Sequence, residues 1–116
     1  MNNRDEILLK SIFDTIDEIG DYLDRFNATS FDSFISEDIL KRAVTMCLIS
    51  ISEMVDALSN DFKKTYSQIN FKRFKTLRNI AAHKYGAVNF EIVWEIINKN
   101  LPVYKRDFEK ILKHPQ

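Results

Sequence analysis

The stretch Arg78-Asn79-Ile80-Ala81-Ala82-His83-Lys84-Tyr85 gathers an arginine, an asparagine, a histidine and a tyrosine within eight residues. These side-chain types suit a phosphodiester. Arginine presents a planar fork of donors to phosphate and does not lose its charge. Histidine takes or gives a proton near neutral pH. Asparagine donates and accepts, so it can orient the histidine or the substrate. Without an added metal, this set favours RNA, whose 2′-OH can act as an internal nucleophile on the adjacent phosphate and leave a 2′,3′-cyclic phosphate. The structural alternative is that Arg78 and His83 only satisfy helix ends or buried carbonyls.

Helical geometry limits how these groups can meet. Measured from Arg78 at about 100° per residue, Asn79 lies at about 100°, His83 at about 140°, Ala82 at about 40° and Tyr85 at about 340°. Arg78, Ala82 and Tyr85 therefore share one face, and Asn79 and His83 share the next. A single straight helix does not superpose Arg78 on His83. They can converge on one ligand only if the long arginine stem wraps around, the helix end deviates, or a second copy helps; two copies facing each other across a two-fold axis would place both arginines and both histidines around one cleft. Ala81 and Ala82 are small enough to let another backbone come close.

The charge pattern supports a phosphate-bearing partner. The formal net charge is zero, yet residues 1–62 carry 5 basic and 13 acidic side chains. Residues 63–88 carry 7 basic side chains and no acidic one, and residues 89–116 carry 5 and 4. The basic block surrounds the reactive octet, with Arg73, Lys75 and Lys84 as candidate RNA contacts. Taken alone, a charge run more often marks a solvated face.

The elements that must position the octet are all helical. Leu8, Ile12, Ile16, Ile19, Leu23 and Phe26 recur at three- and four-residue steps, which predicts a first helix from about Arg4 to Phe26 capped by Asn2 or Asn3. Its Asp14, Asp17, Glu18 and Asp21 read as an acidic outer face, because no Glu-x-x-His partners for a di-metal site exist in the chain. Residues 27–35 read as a loop folding back. Ser36 followed by Glu37-Asp38 starts a second helix, whose wide apolar stripe from Ile39 to Leu58 marks it as the most buried one. Residues 60–69 read as a polar, basic connection. Asn70 caps the third helix, with Phe71, Phe74, Leu77, Ile80 and Ala81 on its core side, and Gly86 stops it. Asn89 caps a fourth helix, and Pro102 opens a fifth at its first turn. The expectation is an all-α bundle of four to five helices in one domain spanning residues 1–116.

Composition narrows the setting. Gly and Pro number 2 each, consistent with short connections between helices. The single cysteine excludes an internal disulfide and fits a reducing compartment. The neighbours of Cys47 mark it as a core thiol rather than a nucleophile. The N-terminus turns acidic at once, without the apolar core of a signal peptide, and no apolar run approaches the roughly 18 residues of a membrane span. A soluble, cytoplasmic protein is expected.

The octet resembles the motif of the HepT-like group of HEPN domains: Arg, four residues, His, one residue, Tyr. Here it reads R-N-I-A-A-H-K-Y, with Asn directly after Arg. Gly86, then Val88-Asn89-Phe90 leading to I-V-W-E-I-I (92–97) and Leu101-Pro102, extend the match. The segment I-S-I-S-E-M (49–54), with Glu53, is similar to the family's second-helix pattern. The resemblance covers about residues 4–113. It implies a homodimer with the Arg/His cleft at its interface, acting as a metal-independent endoribonuclease with no cofactor. It also implies the toxin role in a toxin–antitoxin pair, partnered by a minimal nucleotidyltransferase antitoxin. In some such pairs the antitoxin modifies the motif tyrosine with AMP, which here is Tyr85. Two departures are that Ala81-Ala82 stands where bulkier aliphatic residues are frequent, and Lys84 where an acid is frequent. A competing reading is a non-enzymatic substrate-binding or regulatory subunit of a nucleotidyltransferase. A third is a helical scaffold without a ligand.

Overall fold

The computed structural model describes residues 1–81 and 88–114, apart from the side chains of Leu77, Arg78, Ile80 and Ala81. The helices are α1 (Asn3–Arg25), α2 (Phe31–Ile35), α3 (Asp38–Ala57), α4 (Asn60–Thr65), α5 (Lys72–Ala81), α6 (Phe90–Glu95) and α7 (Leu101–Lys113). A π-helical segment, Ile96–Asn100, joins α6 to α7 without a break. Counting α6 to α7 as one element leaves six helices among the described residues, against the four to five expected. No strand occurs among these residues, and no helix is long and apolar enough to cross a membrane.

Local rules set most boundaries. Asn2 caps α1 by accepting from the Asp5 amide at 2.7 Å. At the other end, the Asn27 and Ala28 amides donate back to the Asp24 and Leu23 carbonyls at 3.1 and 2.9 Å. Asn27 takes a left-handed φ of 52° to make this reversal, a conformation asparagine tolerates. The next five residues are not the expected loop. Ser30 and Ser33 form a reciprocal capping box that opens α2. Ser36 closes α2 instead of starting the next helix, and α3 begins at Asp38. Ser59 likewise caps α4, accepting from the Phe62 amide at 3.1 Å, where a plain connection was expected.

The expected break before Pro102 is also absent. In a regular helix the proline ring would clash with the carbonyl four residues earlier. The widened π turn immediately before Pro102 provides the slack, and the backbone stays helical at Leu101 (φ −59°, ψ −41°).

The core lies where α1 and α7 close on α3. Leu9, Ile12 and Ile19 of α1, Leu40, Val44, Leu48 and Ile51 of α3, and Ile96 and Phe108 of the C-terminal helix are fully buried. Each such side chain contributes about 1.5–3 kcal/mol on removal from water. Phe34 of α2 is 0% exposed and stacks on Trp94 at 5.2 Å, fixing α2 against α6. Cys47 is a buried thiol of this core, as expected, and burial raises its pKa from 9.0 to about 11. Asp5 is 2% exposed and accepts from the Ser59 amide at 2.9 Å and the Ser59 hydroxyl at 2.5 Å. This carboxylate ties the start of α1 to the start of α4.

Candidate active site

Helix α5 carries the first half of the reactive octet and is fastened at its first turn. As the sequence predicts, Asn70 caps it, accepting from the Lys72 amide at 3.0 Å. Phe74 is buried with its ring centroid 4.5 Å from that of Tyr104, and Phe71 lies 6.3 Å from Phe108. The Tyr104 hydroxyl donates to the Asn70 carbonyl, which pins the start of α5 onto α7. Burial holds the Tyr104 phenol above its usual pKa, so it remains a neutral donor at physiological pH.

The outward side of α5 is polar. Lys72, Lys75 and Asn79 are exposed, and Thr76 is half-buried. Two hollows flank the helix. One, of about 380 Å³ against α3 and α4, has Lys63 and Lys75 on its wall, with Ser52, Phe71 and Phe74. The Lys63 ammonium also donates to the Asp56 carbonyl at 3.3 Å. The other, of about 520 Å³ against the π segment and α7, has Lys72, Arg73 and Thr76 on its wall.

The predicted site residues separate under this geometry. Arg73 and Lys75 fall on opposite flanks of α5. The Arg73 guanidinium is engaged by Glu95 at 2.8 Å, which links α5 to α6. Both partners are about two-fifths exposed, so the pair contributes roughly 0–1 kcal/mol. The backbone of Arg78 is in the last turn of α5; its side chain, and with it His83, Lys84 and Tyr85, lies outside the described residues, as do Ala82 and the helix stop expected at Gly86. Glu53 is exposed on α3. Among the described residues, no three His, Cys, Asp or Glu side chains are grouped to hold a metal ion.

Sequence reasoning missed the hollow beside α7. Its walls come from three separated segments, and Asn100 and Asp107 carry no local motif. The seven-residue step between those two, which places them on one side of a continuous helix, was hidden by the expected break at Pro102.

Comparison with known proteins identifies relatives over most of the chain. A candidate RNase of Methanocaldococcus jannaschii is 31% identical over 88% of this chain and 84% of its own length. A candidate RNase of Caldanaerobacter subterraneus is 31% identical over 78% of this chain and 81% of its own length. A probable ribonuclease HepT of Thermococcus cleftensis is 28% identical over 72% of this chain and 76% of its own length. No solved structure matches. The family described as Ribonuclease HepT-like matches residues 12–111, nearly the whole chain, and the protein belongs to that family.

Proposed function

We propose that the protein is an endoribonuclease that cleaves RNA without a metal, at a site built from Arg78, Asn79 and His83 of two subunits. The observation that carries this reading is the Arg-x4-His-x-Tyr motif, intact in a chain of the ribonuclease HepT-like family. The surround favours an anionic substrate: Lys72 and Lys75 are exposed on the helix that leads into the motif, and no acid occurs from residue 63 to residue 88. In the reaction, His83 takes the proton from a ribose 2′-OH, and the 2′-oxygen forms a bond to the adjacent phosphorus. Arg78 stabilises the charge gathering on the phosphoryl oxygens. The bond to the 5′-oxygen breaks, and that oxygen takes a proton from the partner subunit's His83, leaving a 2′,3′-cyclic phosphate and a 5′-hydroxyl.

A second copy is invoked because Arg78 and His83 would fall about 140° apart on a straight helix. A surface for a second copy is available on α3, where Ile39 and Met46 are 73% and 64% exposed, seven residues apart on one face. In this reading the protein is the toxin of a cytoplasmic toxin–antitoxin pair. Its antitoxin, a minimal nucleotidyltransferase, silences it by joining the Tyr85 oxygen to the α-phosphorus of ATP, with release of pyrophosphate. Lys84 adds positive charge beside the scissile phosphate.

The test is cleavage of single-stranded RNA by the wild type and by His83→Ala and Arg78→Ala, with dimerisation and helicity monitored. Loss of at least about 100-fold in rate with the fold intact is expected. Equal cleavage by His83→Ala would sink the mechanism. A wild type inert on many RNAs, yet bound tightly to a nucleotidyltransferase, would favour the regulatory-subunit reading.

A further inference from the structure

The hollow between α5, the π segment and α7 is a built polar site that the reaction above does not use. Its wall includes Asn70, Lys72, Thr76, Asn100, Tyr104 and Asp107, and it encloses about 520 Å³, ample for a nucleobase with its ribose. Three observations point to a ligand. Lys72 is exposed on α5 and forms no ion pair among the described residues, so its charge is available to a phosphate. The cation next to it, Arg73, is neutralised by Glu95 and does not compete. Asn100 bears a buried Oδ1 with no hydrogen-bond partner. An orphaned acceptor is a standing cost, relieved when a ligand N–H draws the amide toward the hollow.

The hollow is in line with the proposed catalytic face. Lys72, Thr76 and Asn79 follow steps of four and three residues, so they form one stripe along α5. Asn79 is itself one of the proposed site residues. From Thr76 to Asn79 the rise is about 4.5 Å, a span that one nucleotide bridges.

We propose that this hollow is a base-recognition subsite, which holds a nucleotide flanking the scissile bond of single-stranded RNA. This rests on the nuclease reading above. Lys72 meets the backbone phosphate of that nucleotide, and its base enters the hollow. The Asp107 carboxylate on the wall is an acceptor, and the Asn100 Oδ1, itself buried, joins it when the amide turns toward the hollow. They select a base with an exocyclic amino group, namely adenine, cytosine or guanine. Uracil presents two carbonyl acceptors beside its single N–H and is disfavoured. The subsite therefore sets where the RNA is cut.

The experiment maps cleavage of a randomised single-stranded oligoribonucleotide by sequencing the product ends, for the wild type, Asp107→Asn and Val103→Phe. Val103 is exposed at the hollow, so a phenylalanine there narrows the opening without entering the core. The wild type is expected to discriminate against uracil at one position beside the cut by about tenfold. Asp107→Asn supplies a donor for uracil and reduces that ratio toward one. Val103→Phe raises KM about tenfold with kcat unchanged. Cleavage by all three proteins with the same base preference and the same KM overturns the subsite and leaves the nuclease reading standing. A wild type that neither binds nor cleaves any RNA overturns both.

Discussion

Helices α1 and α3 on one side, and α5 on the other, are held in place by different means. The first two run 23 and 20 residues, and each buries a full apolar stripe. They are closed by Asn2, by the Asn27 reversal and by the Asp5–Ser59 tie. The described part of helix α5 spans 10 residues. It is held at its first turn by the Asn70 cap, the aromatic pile with Tyr104 and Phe108, and the Tyr104 hydroxyl. The acidic half is thus a frame, and the basic helix is an arm that lies against its α3. The arm presents Lys72, Lys75 and Asn79 as exposed side chains, and these are groups a polyanion would meet.

Four measurements sharpen or break this contrast. The largest expected effect is in the frame. Phe34→Ala removes a fully buried ring stacked on Trp94 and should lower global unfolding free energy by about 3–5 kcal/mol in urea titration. Asp5→Ala leaves the Ser59 amide and hydroxyl without their acceptor and should cost about 1–3 kcal/mol in the same assay. Tyr104→Phe removes only the hydroxyl at the foot of the arm. It should cost about 1 kcal/mol and show mainly as faster amide exchange at Lys72 to Phe74. A global loss as large as that of Phe34→Ala would erase the distinction between frame and arm.

The fourth effect is smaller and depends on pH. Burial raises the Cys47 thiol from 9.0 to about 11, so between those values the unfolded chain ionises while the folded chain does not. Stability is unaffected by this group below about pH 9 and falls as pH rises from 9 to 11. Cys47→Ser should flatten that decline, and a thiol reagent should label the native wild type slowly at pH 8.

How much of this was legible depended on the range of the interaction. Caps are local, and Asn70 and Asn89 were read correctly because their partners sit two or three residues away. The octet stands out in the sequence for a similar reason, since four informative side chains fall within eight residues. Helices α2 and α4 were missed because five or six residues cannot hold a helix by propensity. They exist through tertiary packing, with Phe34 against Trp94 and Phe62 buried in the core. Nothing local marks the role of Asp5, because its partner lies 54 residues on. The Arg73–Glu95 pair spans 22 residues, so Arg73 read as a free cation. The break expected at Pro102 followed from a sound rule about proline, but a widened turn satisfies the same steric demand as a new helix start.

The tie between Asp5 and Ser59 also bears on how the chain is made. A ribosome adds roughly 5–20 residues per second, so the 54-residue interval takes roughly 3–11 s. Through that interval α1 emerges with its apolar stripe uncovered, because both α3 and the serine that donates to Asp5 are still to be synthesised. Phe108, which closes the core from α7, comes later again. The nascent acidic half is therefore a natural client for a chaperone at the exit tunnel, and its high negative charge keeps neighbouring copies apart until the buried carboxylate has somewhere to dock.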